Sequence, residues 1–243
     1  MEYATITNVG NREHNEDCAD GKIRNINGTE YGCFIMADGL GGHGRGEVAS
    51  QLVVGTIMQM FTEADNMENF LEKALDEGQR ELMEMQRKER AFNELKTTAV
   101  GLLVLPQEIY WVHVGDSRLY YSRDRKLVER TLDHSVPQML VASGEIKEKE
   151  IRRHPDRNKL LRVMGVEWDE PKYKVSEKIA NVGNQAFLLC SDGFWENIDE
   201  KKMQKCLKKA VSAQEWLSLM NEIVQKNGKK TDMDNNTAVA VFI

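Results

Sequence analysis

Three aspartates stand at the ends of apolar runs, each followed at once by a small residue: Asp38 by Gly39, Asp116 by Ser117 and Asp192 by Gly193. Asp234 lies just before the apolar run that closes the chain, and Glu16 and Asp17 add two acidic positions near the N-terminus. A strand that ends on a carboxylate points it off the end of a sheet. If these carboxylates converge, their mutual repulsion demands a cation between them. Oxygen ligands without a Cys or His cluster select a hard ion, Mg²⁺ or Mn²⁺. One Asp-Gly pair alone reads equally well as a turn, since Asp and Gly dominate turns; the whole set does not.

Other chemistries fit less well. Gly39, Gly41 and Gly44 follow an apolar run and precede a helical pattern, the setting of a dinucleotide fingerprint. That reading needs an acidic ribose ligand at the end of a second strand about 20 residues on, but residues 61–66 lie between two helical patterns. It would also set Asp38 beside a pyrophosphate, anion against anion. No Gly-Lys-Ser/Thr follows the glycines, so a Walker loop is excluded. Asp232, Asp234 and Asn236 have calcium-loop spacing, but Thr237 and Ile243 stand where such a loop needs Gly and Glu. The five histidines share no ligand spacing; His43 and His134 alone adjoin candidate site segments. Lys201, Lys202, Lys205, Lys208 and Lys209 crowd one helical pattern and read as a solvated face.

Apolar runs with strand character cover residues 31–37, 99–105, 109–114, 119–122, 186–190 and 237–243. The second and third are too close for a crossover and must form a hairpin, which implies antiparallel sheet. Helical stripes occur in pairs, through Val48, Val53, Ile57 and Phe61, then Phe70, Leu71, Leu75 and Leu82, and again through Met203 to Val211 and Trp216 to Val224. Ser212 with Glu215 forms a capping box for the last helix, and Gly228 marks its stop. Paired helices beside antiparallel strands indicate an α+β fold. Residues 133–168, with Pro137, Gly144, Pro155 and many charges, interrupt the pattern like an inserted flap.

The 243 residues are 41% hydrophobic, enough for a sizeable core, and no Pro-, Gly- or Ser-rich linker divides them, so a single domain is expected. With 39 acidic against 33 basic residues the net charge is −6, which disfavours partners with a phosphate backbone or an anionic membrane surface. No run approaches the roughly 20 apolar residues of a membrane span, and the N-terminus lacks a signal pattern. Four scattered cysteines read as reduced thiols, so a cytoplasmic protein is expected.

Taken in order, Gly10–Asp17, Met36–Glu47, Thr97-Thr98, Val114–Tyr120, Leu132–Ser135, His154–Asn158, Leu189–Gly193 and Asp234–Thr237 resemble the motifs of metal-dependent serine/threonine protein phosphatases of the PPM type, also called type 2C, in their bacterial branch. The resemblance runs from about residue 5 to residue 243. It implies two antiparallel sheets packed as a sandwich and flanked by helix pairs, a four-layer αββα arrangement with the flap inserted. It implies hydrolysis of phosphoserine and phosphothreonine by a water bridging two divalent ions, Mn²⁺ or Mg²⁺, without a covalent phosphoenzyme. Asp38 resembles the carboxylate bridging both ions, with the Gly39 carbonyl completing one of them and Asp192 and Asp234 serving the other. Glu16 and Asp17 match residues that hold water there, Arg12 matches the clamp on the substrate phosphate, and Asp116 with Asp192 matches a third ion site. Arg12 and Asp38 are thus the expected catalytic residues. The expected partners are phosphoproteins made by a serine/threonine kinase, met by a monomer; a pseudophosphatase that binds without turnover is the alternative. Leu40 replaces a histidine that animal members use as general acid, which leaves His43 or a water for that role, and Lys96 replaces a usual glycine before Thr97.

Overall fold

The computed structural model describes residues 1–41, 45–91, 94–229 and 232–243. In chain order its strands are β1 (Glu2–Asn8), β2 (Asp17–Ile26), β3 (Thr29–Leu40), β4 (Lys96–Thr97), β5 (Ala99–Val104), β6 (Glu108–Val114), β7 (Arg118–Arg123), β8 (Lys126–Arg130), β9 (Lys174–Val175), β10 (Ile179–Ala180), β11 (Gln185–Cys190) and β12 (Asn236–Phe242). One sheet runs β1-β12-β11-β7-β8. The other runs β10-β6-β5-β3-β2, with β4 beside β3 and β9 beside β6. Every pairing is antiparallel.

The alternation along each strand explains the layers. Phe34 and Met36 of β3 face Leu119, Phe187, Leu189 and Val239 across the gap between the sheets. Cys33, Ile35 and Ala37, on the opposite face, meet Val53, Ile57 and Phe61 of α1 (Arg45–Glu63) and Leu71 and Leu75 of α2 (Phe70–Glu89). On the other sheet, Leu188, Cys190 and Ala240 turn outward against Trp216, Leu217 and Met220. Two short helices, α3 (Val136–Ala142) and α4 (Asp192–Trp195), precede the second flanking pair, α5 (Glu200–Lys209) and α6 (Ala213–Gly228). Central strands are therefore buried on both faces and read as unbroken apolar runs, although antiparallel sheets commonly keep one face wet. The fold is the expected α+β sandwich in four layers. Ser212 caps α6 by accepting from the Glu215 N–H at 3.1 Å, while the Glu215 carboxylate accepts from the N–H of Val211.

The flap holds α3 and a 3-10 turn, Glu148–Arg153, and is moored at both ends. At its start Asp133 accepts from two guanidinium nitrogens of Arg118, Nε at 2.8 Å and Nη2 at 2.7 Å. At its end Met164 bridges to Thr97, and Gln79 of α2 accepts from the Gly165 N–H at 2.8 Å. The Arg118 and Asp133 side chains are 2% and 1% exposed, and the Arg118 guanidinium lies 3.4 Å over the Trp195 ring. Removing one partner of a buried pair strands the other charge. Arg118→Ala is accordingly expected to cost about 3–5 kcal/mol, a fall in Tm on the order of 10 °C. Thermal melts of the single variant beside Arg118→Met/Asp133→Leu test this: the double change should recover most of the loss, and an unchanged Tm in Arg118→Ala refutes the assignment.

Candidate active site at one end of the sandwich

The strand register itself creates the acidic cluster. Asp17, the first residue of β2, lies directly opposite Asp38 of β3. Opposed residues of an antiparallel pair share a face, and alternation puts Asp38 on the face of Phe34 and Met36, the gap between the sheets. Two carboxylates thus emerge side by side at the end of the inter-sheet core. Asp38 stands two residues before the end of β3, which continues to Leu40 beside β4, and its amide and carbonyl are fixed: its N–H donates to Thr98 Oγ1 at 3.0 Å, and its carbonyl accepts from the Thr97 hydroxyl at 2.9 Å. Lys96 fits β4 opposite Leu40 with no left-handed backbone, so a glycine is not needed there.

The opposite sheet supplies the rest. Asp192 follows β11 as the first residue of α4, and Asp234 precedes β12. Asp116 sits in the β6–β7 turn, which the Trp195 indole fixes by donating to the Asp116 carbonyl at 3.0 Å. Arg12, Glu16, Asp38, Gly39, Asp116, Asp192 and Asp234 line one cleft of about 190 Å³. Asp17 lies beneath it.

Close backbone approaches hold the N-terminal loop in place. Gly10 has φ +65°, and a Cβ there would run into the Asp234 carbonyl. Without one, the loop lies against residues 233–234, the Asn11 N–H donates to the Met233 carbonyl, and Arg12 Nη2 reaches Asp234 Oδ2 at 2.7 Å. Both side chains of that pair are more than a third exposed, so it is weak enough to yield to a better anion. Gly39 needs its hydrogen for the same reason, because a Cβ would meet the Gly46 carbonyl at the start of α1; its N–H donates to the Glu16 carbonyl at 3.0 Å.

Burial dominates the electrostatics. It pushes the Asp17 and Asp116 carboxyls up to about 7 and holds Asp38 and Asp192 well above the usual range; neighbouring aspartates add to this for all four. Burial raises Glu16 as well. Asp17 Oδ2 accepts from Ser191 Oγ at 2.8 Å, but its Oδ1 is buried with no partner. Among the described residues no three Asp, Glu, His or Cys side chains close tightly enough on one point to hold an ion as they stand. The orphaned oxygen, the concentration of carboxylates and the all-oxygen donor set nevertheless fit a hard divalent cation.

All seven expected acidic and backbone positions and Arg12 therefore meet at one end of the sandwich. The supporting residues carried no signal of their own chemistry. Asn235 donates to the Val9 and His14 carbonyls at 2.7 and 2.9 Å and accepts from the Glu16 N–H at 2.8 Å, tying the N-terminal loop to β12. Ser191 also accepts from the Thr237 N–H at 3.0 Å. His134 is a structural residue: its Nδ1 accepts from the Gly115 N–H at 3.2 Å and its ring stacks on His113, and burial lowers it to about 3, so it is neutral. His43 lies outside the described residues.

The protein phosphatase 2C family model matches residues 10–236. The chain belongs to that family. Among curated relatives of this phosphatase 2C chain, the serine/threonine phosphatase stp of Listeria monocytogenes is 32% identical over 204 residues, 77% of this chain and 80% of its own. The crystal structure of the Mycobacterium tuberculosis serine/threonine phosphatase PstP superposes with a TM-score of 0.83 at 27% identity, over 100% of this chain and 98% of the other. A structure of the PstP catalytic domain in complex with two manganese ions matches with a TM-score of 0.80 at 26% identity, over 98% and 96%.

Proposed function

We propose that this phosphatase 2C hydrolyses phosphoserine and phosphothreonine in proteins with Mn²⁺ or Mg²⁺ as cofactor. The observation that carries the reading is the single cleft in which the Arg12 guanidinium meets carboxylates gathered from both sheets. Asp38, Asp192, Asp234 and the Gly39 carbonyl would hold two divalent ions, and Asp116 with Asp192 a third. When bound, such ions acidify a water and offset the charge of the phosphoryl group. The remaining steps belong to the chain. Asp17 Oδ1 and Glu16 accept hydrogen bonds from water and orient it toward phosphorus. Arg12 would exchange its exposed contact with Asp234 for two phosphoryl oxygens. Phosphoryl transfer asks chiefly for this positioning and charge neutralisation, and no side-chain nucleophile is required. The fully buried, free thiols of Cys33 and Cys190 support a cytoplasmic location, and no helix among the described residues is long and apolar enough to cross a membrane.

Assay of the purified protein with Mn²⁺ on phosphoserine and phosphothreonine peptides tests this. Release of inorganic phosphate is expected; binding without release would instead establish a pseudophosphatase. Arg12→Ala is expected to raise KM, with kcat/KM down about ten- to a few-hundred-fold, the equivalent of one charged hydrogen bond. Unchanged kinetics would remove Arg12 from the phosphate.

A further inference from the structure

A second, larger cleft of about 750 Å³ opens from the first and shares Arg12, Asn158, Asp192 and Asp234 with it. Its far wall is cationic. Arg152, Arg153 and Arg157 come from the flap and Lys202 from α5, while its own acids are Glu196 and Asp232 beyond the shared pair. Two of these cations are already committed. Arg157 Nε pairs with Glu196 at 3.0 Å, and Arg152 pairs with Glu200 and stands over the Trp195 ring, with its Nη1 lacking a hydrogen-bond partner. Arg153 has no ion pair among the described residues, and Lys202 has only Asp199, in a pair about half exposed. Once Asp192 and Asp234 are neutralised by divalent ions, the wall holds more positive than negative charge, and the spare donors are those of Arg153 and Lys202.

We propose that this wall is a subsite for a second anionic residue of the substrate, so that the enzyme selects phosphopeptides carrying a further phosphate or carboxylate close to the phosphate being removed. The inference rests on the phosphatase reading given above. Of the flap's basic residues, Arg152, Arg153 and Arg157 line this wall, and Lys147, Lys149, Lys159 and Arg162 do not.

The test compares kcat/KM with Mn²⁺ on four substrates: p-nitrophenyl phosphate, a phosphothreonine peptide with neutral flanks, the same peptide with glutamates two and three positions away, and the same peptide with a second phosphothreonine there. At low salt the wild type is expected to favour the doubly phosphorylated peptide about tenfold through KM, beyond the statistical factor of two, and the glutamate peptide less. The preference should shrink as ionic strength rises. Arg153→Ala/Lys202→Ala should bring both ratios close to one and leave p-nitrophenyl phosphate turnover within about twofold. A glutamate ratio equal to the phosphate ratio would assign the subsite to acidic sequence in general. Turnover of p-nitrophenyl phosphate with no anion preference, a preference that survives the double variant, or parallel losses on all substrates overturns the inference alone. No turnover of any substrate overturns the phosphatase reading and this inference with it.

Discussion

Asp38→Asn is expected to lower kcat/KM on p-nitrophenyl phosphate and on phosphopeptides by at least about 10³-fold, because a shared ligand to two ions is worth several kcal/mol and each 1.4 kcal/mol is about tenfold. The substitution keeps the shape, and the backbone bonds of residue 38 to Thr97 and Thr98 do not involve the side chain. The fold should therefore survive. In the metal-free protein it should even gain stability, since Asp38 is a buried carboxyl opposite Asp17 and close to Asp116, Asp192 and Asp234. Loss of turnover with an equal or higher Tm in EDTA is the expected pair of results. An Asp38→Asn variant that keeps more than a few per cent of the activity would show that the ions are held without this carboxylate; lost activity with a collapsed Tm would make Asp38 a structural residue.

The same physics decided what could be read before the structure was known. The strands at 31–37, 99–105, 109–114 and 186–190 are central, buried on both faces, and hence continuous in apolar residues. Among the strands longer than two residues, those that gave no such run, β1, β2 and β8, are edges of their sheets with one wet face, and their sequences alternate or carry charge. That gap mattered for the site. Asp17 was visible as an acidic position, but its place opposite Asp38 follows only from the β2–β3 register. Likewise the aspartates at 116, 192 and 234 were legible because each abuts an apolar strand, whereas Ser191, Asn235 and Trp195 hold Asp17, Glu16 and Asp116 in turn through long-range hydrogen bonds that have no local sequence period. The flap was legible as an interruption, but its mooring by Arg118–Asp133 and Gln79–Gly165 joins residues 15 and 86 positions apart.

The second large effect concerns the protein stripped of divalent ions. Dialysis against EDTA should abolish turnover and expose an unusual pH dependence of stability. Burial pushes Asp17 and Asp116 up to about 7 in the folded chain and holds Asp38 and Asp192 well above the usual carboxylate range. A carboxyl whose folded value exceeds its unfolded one contributes stability that is complete below about pH 4 and is lost as pH rises through the folded value. The metal-free fold should therefore weaken, and its Tm fall, as pH rises from about 6.5 to 8.5. The window is chosen for its sign. Below about 6.5 the buried His113 and His134, whose values are lowered by burial, act in the opposite sense, because the unfolded chain then takes up protons they refuse. Above about 8.5 the buried thiols of Cys33 and Cys190, raised by burial, begin to contribute. Saturating Mn²⁺ should flatten the dependence and raise Tm at every pH in the window, since ligation supplies the charge that burial withholds; at a hundredfold excess over Kd the gain is about 2.7 kcal/mol. A Tm in EDTA that stays level or climbs from pH 6.5 to 8.5 would mean that the carboxylates ionise without penalty, and the case for a divalent cation between them would lose its physical basis.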